Sequence, residues 1–142
     1  MTDRVSRAAR SAMMAAVHGK DTRPEKLVRS MLFRAGFRFR LHLKHLPGCP
    51  DIVLMRYRTV VFVHGCFWHG HDCRRGKLPS TNRDFWKSKI HGNVVRDLAN
   101  LRRLEEEGWS VFVIWTCRIE SDTNSLLAHL DLQRRINERN MT

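Results

Sequence analysis

The sequence predicts an α/β fold in which a mixed β-sheet is flanked by helices. Apolar runs suited to buried strands occur at Ile52–Met55, Thr59–Val63 and Trp109–Thr116. Helical repeats precede the first of these runs, separate the last two and close the chain. The first two runs are apolar on both faces, so we expect them at the centre of the sheet. A layered α/β or α+β architecture suits this order of elements, which shows no internal repeat.

The first predicted helix begins with a clear local signal. Thr22-Arg23-Pro24-Glu25 has the form of a capping box with proline in the first turn, and Gly36 ends the segment. The capping box by itself would account for Glu25. One face of the helix carries the apolar residues Leu27, Val28, Met31, Leu32 and Ala35.

The segment after this helix predicts three strands. Residues Phe37–Leu43 alternate apolar and basic side chains, which is typical of a half-buried strand with a basic outer face. The turn Leu46–Pro50 delivers Asp51 to the second strand. A tight turn near Tyr57–Arg58 then joins the second and third strands in a hairpin.

The second half of the chain predicts a basic loop, two helices and one strand. Residues 74–83 lack periodicity and form the loop. The helix that follows extends to Gly108, with an expected break near Gly92-Asn93. The last helix is expected between Asp122 and Arg139.

The charge of the chain points to nucleic acid. Its 142 residues suit one domain, which we expect over residues 21–142 after a basic arm over residues 1–20. The net charge is +12, and Arg outnumbers Lys by 20 to 6. Arg binds phosphate and guanine in a bidentate manner, which favours a nucleic-acid partner over a merely basic structural protein. Signal-peptide and membrane-spanning patterns are missing, so we expect a cytoplasmic protein with no membrane partner.

Ten residues, His64–Cys73, hold three histidines, two cysteines and two large aromatic residues. Four cysteines without an export signal favour metal binding over disulfides. Cys66, His71 and Cys73 leave a tetrahedral zinc site one ligand short, and Cys117, after a buried strand, is the candidate fourth ligand. The alternative for Cys117 is a small buried apolar side chain.

Asp51 and the aromatic residues have two interpretations each. A carboxylate at the head of a buried strand is suited to Mg²⁺ in a nuclease, or it caps loop amides as a turn aspartate. Phe67, Trp68 and Trp86 are either core residues or a surface that stacks on DNA. Phe67 and Trp68 are neighbours and would point to opposite sides of an extended segment, which favours stacking.

These residues together resemble the very short patch repair endonucleases, the Vsr family. The similarity covers about residues 5–120, in the family's order. It is carried by Pro47-Gly48-x-Pro50-Asp51, His64-Gly65-Cys66-Phe67-Trp68-His69, His71, Cys73, Asp84-Phe85-Trp86, Lys89-Ile90, Asn93, Gly108-Trp109 and Trp115-x-Cys117.

The resemblance implies a restriction-endonuclease-like three-layer fold and a Mg²⁺-dependent enzyme. It would nick duplex DNA 5′ of the thymine in T:G mismatches that arise when 5-methylcytosine deaminates. By position, Asp51 and the main-chain carbonyl of Val63 would bind Mg²⁺, with Glu25, His64 and His69 around the metal-bound waters. His69 is the candidate general base.

The resemblance also implies a structural Zn²⁺ on Cys66, His71, Cys73 and Cys117. Its DNA contacts would be made by the intercalating rings of Phe67, Trp68 and Trp86, by Met14 of the arm in the minor groove, and by Lys89 and Asn93. It implies a monomer in the bacterial cytoplasm, on the nucleoid through DNA. A MutL-type protein, a repair polymerase and a cytosine-5 methyltransferase would act with it.

Two rival hypotheses stay open at this point. The first is a zinc-stapled DNA-binding module, in which Asp51 and His69 are structural. The second is a nuclease of the same fold that acts on another lesion or on a restriction site.

Overall fold

The computed structural model describes residues 21–141. The predicted arm, including Met14, lies outside this range. The elements are α1 (Arg23–Arg34), β1 (Arg40–Leu41), β2 (Ile52–Leu54), β3 (Thr59–His64), α2 (Arg83–Glu106), β4 (Ser110–Trp115) and α3 (Ile119–Asn140). Short 3₁₀ turns follow β2, precede α2 and follow β4, at Met55–Tyr57, Arg74–Gly76 and Thr116–Arg118.

The four strands form one mixed sheet in the order β1-β2-β3-β4. β1, β2 and β3 pair antiparallel, and β3 pairs parallel with β4. The predicted hairpin is confirmed, with Arg58 in the left-handed conformation at its turn. β2 and β3 are the two central strands, as their apolar sequences predict, because both of their faces are covered.

Side chains on the two faces of the sheet enter two separate apolar layers. Ile52, Val61 and Ile114 pack with residues of α1 and α3 on one face of the sheet. Val53 and Val60 pack with Leu104 of α2 on the other. The sheet therefore lies between two helical layers, and the predicted α/β fold class is confirmed. No helix within residues 21–141 is both long enough and apolar enough to cross a membrane.

Two predicted details differ in the structure. β1 pairs only at Arg40–Leu41, because His42 adopts a left-handed conformation (φ +49°) and turns the chain out of the strand. The expected break near Gly92-Asn93 is wrong, since α2 is continuous from Arg83 to Glu106. A single exposed glycine costs a helix only about 1 kcal/mol, which the packing of the rest of α2 offsets.

Candidate active site and metal centre

Asp51 lies at the sheet edge where β2 begins and β3 ends. The preceding turn uses two left-handed residues, Gly48 and Cys49, to bring it there. Its Oδ2 atom accepts a hydrogen bond from the Val63 N–H at 2.7 Å. In a strand, the N–H and C=O groups of one residue point to the same side. The Val63 carbonyl therefore lies on the same side of β3 as Asp51.

The carboxyl group of Asp51 lacks the solvation that a charge requires. Burial raises its pKa to about 7, against the hydrogen bond from Val63, and the negative charge of Glu25 raises it further. Two acidic groups in such a position are stabilised by a cation between or beside them.

Glu25 reaches this edge from the first turn of α1. The Thr22 side chain accepts a hydrogen bond from the Glu25 N–H at 3.4 Å, which confirms Thr22 as the N-cap. However, Glu25 is only 4% exposed, and its Oε2 atom lies 3.0 Å from Arg29 and 3.4 Å from His42. The alternative that capping alone accounts for Glu25 is therefore wrong, because its carboxylate is buried and paired with Arg29.

His64 and His69 stack with their ring centroids 3.7 Å apart. The residues between them form a tight turn, in which the His69 N–H donates to the Gly65 carbonyl at 3.1 Å. His69 Nδ1 lies 2.6 Å from Asp97 Oδ2 of α2. Burial lowers the pKa of His64 to about 3, with His69 adding to the effect. A His–Asp pair of this kind holds the imidazole in one tautomer with its second nitrogen available.

One cavity of about 320 Å³ joins these groups. Its lining includes Asp51, Val63, Glu25, His64, His69 and Asp97. The structure thus brings together all five residues expected around the catalytic metal. It adds Asp97 to them.

The four expected zinc ligands also meet. One possible ligand atom from each of Cys66, His71, Cys73 and Cys117 lies within 4.8 Å of the others. Zinc–sulfur bonds are about 2.3 Å long, so thiolates around one tetrahedral zinc are less than this distance apart and the set fits the ion. Cys117 is exposed, so the alternative of a buried apolar cysteine is wrong.

The loop that carries three of these ligands is closely folded. A Cβ atom at Gly76 would lie 1.9 Å from the His71 carbonyl oxygen, so only glycine allows the approach. Burial opposes ionisation of Cys66, but hydrogen bonds involving Thr116, Cys117 and His71 outweigh it and lower the pKa of that thiol to about 6. Thiols crowded in this way are suited to share a cation.

Phe67, Trp68 and Trp86 form one aromatic cluster, with ring centroids 5.1 to 5.7 Å apart in edge-to-face pairs. The assumption of an extended segment is wrong, because residues 65–70 form a turn that places Phe67 and Trp68 side by side. Trp68 is 8% exposed, whereas Phe67 and Trp86 are half-buried. Phe85 beside them is 59% exposed, which extends the aromatic surface to solvent.

Comparison with known proteins identifies the family. The family model described as DNA mismatch endonuclease Vsr matches residues 2–75, more than half of the chain. The chain belongs to the Vsr family. The DNA mismatch endonuclease Vsr of Escherichia coli is 44% identical over 119 residues, which cover 84% of this chain and 76% of that protein.

Other relatives of this chain are named as nicking enzymes. The type II nicking enzyme V.XorIIP of Xanthomonas oryzae pv. oryzae is 53% identical over 130 residues, 92% of this chain and 95% of the relative. The type II nicking enzyme V.NmeAIP of Neisseria meningitidis is 49% identical over 121 residues, 85% of this chain and 86% of the relative. The protein is therefore a DNA endonuclease, and the hypothesis of a DNA-binding module without catalysis is wrong.

Two residues expected on DNA in this Vsr-family chain differ in their surroundings. Lys89 is exposed on α2, where a phosphate could reach it. Asn93 is buried, and its side-chain amide donates to the Trp68 carbonyl at 2.9 Å. The DNA contact expected of Asn93 stays a prediction, and in this structure its amide holds the main chain at Trp68.

Sequence reasoning missed Asp97, His42 and Arg29. Asp97 could have been found, because it lies three residues after Val94 and four before Leu101, and so places a charge on the inner face of α2. The alternating pattern over Phe37–Leu43 assigns His42 to the basic outer face of a strand, so the sequence does not suggest that it lies near the site.

Proposed function

We propose that this endonuclease nicks duplex DNA 5′ of the thymine in T:G mismatches that arise by deamination of 5-methylcytosine. Catalysis would depend on Mg²⁺, and a structural Zn²⁺ would hold the loop after β3. The observation that supports this best is the single cavity lined by Asp51, the Val63 main chain and the His69–Asp97 pair. The turn that carries His69 also carries two rings of the aromatic cluster.

The residues at the sheet edge fit Mg²⁺. Asp51 and the Val63 carbonyl would hold the ion, since Mg²⁺ prefers oxygen ligands and retains several waters. Glu25, His64 and His69 would face those waters. When bound, the ion would offset the charge that develops on the phosphate and the leaving oxygen during hydrolysis.

His69 is suited to accept a proton from the attacking water. The Asp97 carboxylate accepts a hydrogen bond from Nδ1–H at 2.6 Å, which leaves Nε2 as the basic atom. The carboxylate also stabilises the imidazolium that forms when the proton is taken up. Asp97 therefore orients His69 and supports its charge.

The aromatic cluster would supply selectivity for a mismatch. Separating adjacent base pairs costs a few kcal/mol, and less where a wobble pair stacks poorly. Phe67 and Trp86 reach the surface, and Phe85 beside them is exposed. Intercalation by these rings would therefore favour T:G over a matched pair.

The same proposal predicts the oligomeric state, location and partners of the enzyme. A mismatch lacks two-fold symmetry, so a monomer is expected to act on it. The positive net charge suits duplex DNA and a location on the nucleoid. A MutL-type protein, a repair polymerase and a cytosine-5 methyltransferase stay predictions from the family resemblance.

The test is a nicking assay on labelled duplexes that differ only in a T:G, another mismatch or a C:G pair, each with Mg²⁺ or with EDTA. We expect cutting 5′ of the T of the T:G pair only, and only with Mg²⁺. Equal cutting of matched and mismatched duplexes would favour the nuclease with a different lesion or site specificity.

A pair of variants separates catalysis from folding. Asp51→Asn is expected to abolish nicking while duplex binding persists. Asp122→Asn is the matched control, because Asp122 also accepts a hydrogen bond from a strand amide, that of Trp115 at 3.0 Å, but does not line the cavity. Undiminished cleavage by Asp51→Asn would remove the catalytic assignment.

A further inference from the structure

A polar network lies between α1 and β1, next to the catalytic edge. Arg29 Nη2 is 2.8 Å from Asp21, 3.0 Å from Glu25 and 3.2 Å from His42 Nε2. The side chains of Glu25, Arg29 and His42 are only 5%, 15% and 12% exposed. The Arg29 guanidinium therefore contacts both the buried carboxylate of Glu25 and the largely buried imidazole of His42.

His42 connects this network to Asp51 in two ways. Its backbone N–H donates to the Asp51 carbonyl at 3.3 Å. Its ring atom Nδ1 lies 3.9 Å from Asp51 Oδ1, the carboxylate oxygen that the Val63 N–H does not bind. The backbone conformation that directs the ring inward, with φ +49°, is one that L-residues rarely adopt. Such conformations are concentrated at functional sites.

The contacts of its two nitrogens set the orientation of the His42 ring. Nε2 lies 3.2 Å from Arg29 Nη2 and 3.4 Å from Glu25 Oε2, so the network holds this end of the ring. Nδ1 is therefore the ring nitrogen that faces Asp51. Catalytic hydrogen bonds are often long before ligands bind and tighten afterwards, so a separation of 3.9 Å suits a contact that closes when a metal ion binds.

We propose that Arg29 and His42 are positioning residues for the metal-binding carboxylate Asp51. Arg29 and Glu25 hold the His42 ring at Nε2, and Nδ1 of His42 orients the second oxygen of Asp51, while the Val63 N–H orients the first. This inference rests on the proposed function, because it concerns the Mg²⁺ that Asp51 would bind. Groups that orient metal ligands affect metal affinity by about tenfold to a hundredfold when they are replaced.

The experiment measures Mn²⁺ binding to the full protein without DNA, by the electron paramagnetic resonance signal of free Mn²⁺. His42→Leu is expected to raise the dissociation constant about tenfold. His42→Asn, whose amide nitrogen replaces Nδ1, is expected to retain near-normal affinity. His42→Gln, whose amide replaces Nε2, is expected to bind as weakly as His42→Leu. Arg29→Gln is expected to weaken binding in the same direction.

Controls separate this proposal from folding and from the proposed function. His129→Leu is the matched control, because His129 is partly buried against Phe112 and is not in the cavity lining. It is expected to bind Mn²⁺ normally. Asp51→Asn is the reference for loss of the ligand, and Mn²⁺ binding that survives this change overturns the proposed metal site itself.

If Asp51→Asn loses Mn²⁺ but His42→Leu retains it, only the positioning role is overturned. It is also overturned if His42→Gln retains affinity while His42→Asn does not. Should His42→Leu fail to fold, the comparison of the Asn and Gln variants decides the question.

Discussion

Replacing Asp51 with Asn should stabilise the protein at neutral and higher pH when Mg²⁺ is absent. Burial raises the pKa of Asp51 to about 7, from 3.8 for an ordinary aspartate. Between these two values the unfolded chain has released the proton and the folded protein retains it. The contribution of Asp51 to stability is therefore fully present below about pH 4 and is lost as the pH rises through about 7. Asparagine has the shape of the protonated form and avoids this loss.

The size of the effect follows from the two pKa values. Each tenfold change in proton affinity corresponds to about 1.4 kcal/mol, so the folded protein loses on the order of 4 kcal/mol relative to the Asp51→Asn variant by about pH 8. The Asp51 side chain is only 20% exposed, so water screens little of this cost. A difference of this size is a large part of the stability of a small domain.

The assay is urea unfolding of both proteins across this pH range, in Mg²⁺-free buffer without chelator so that metal held by cysteines is retained. The free energies of unfolding should be nearly equal at about pH 4 and should differ by about 4 kcal/mol at about pH 8. Added Mg²⁺ should stabilise only the protein with Asp51. A difference that does not change with pH would refute the argument, because it would mean that Asp51 titrates as an exposed group does.

Three further predictions concern other parts of the site. Asp97→Asn should lower the single-turnover nicking rate about a hundredfold at saturating Mg²⁺ with unchanged duplex affinity, because His69 loses the group that sets its tautomer; an unchanged rate contradicts that role. Cys117→Ser should reduce the zinc bound per protein, measured by mass spectrometry, and should lower the midpoint of thermal unfolding. Cys49→Ser is the control and should retain the metal, and full zinc in both variants would place the ion elsewhere. Trp86→Ala should reduce the preference for T:G over C:G duplexes by about tenfold or more in the nicking assay, and an unaltered ratio of rates would exclude Trp86 from mismatch selection.

The elements with the strongest local patterns were predicted correctly. The central position of β2 and β3 follows from their continuous apolar sequences, and the start of α1 follows from Thr22 and Pro24. The errors occurred where local patterns compete with packing. The alternation over Phe37–Leu43 predicts a longer β1, but the inward turn of His42 ends it.

The type of chemistry follows from the amino-acid sequence alone, because residue types and their spacing are local properties. The sequence supplied the α/β class, the four zinc-ligand candidates and the family resemblance that singles out Asp51 and His69. Which distant groups meet depends on how the helices pack on the sheet. Asp97 is 28 residues from His69, yet the packing of α2 on the sheet places the two atoms 2.6 Å apart. In the same way, only the fold shows that Glu25 is buried beside Arg29 and His42, since burial and pairing depend on how separate elements pack together.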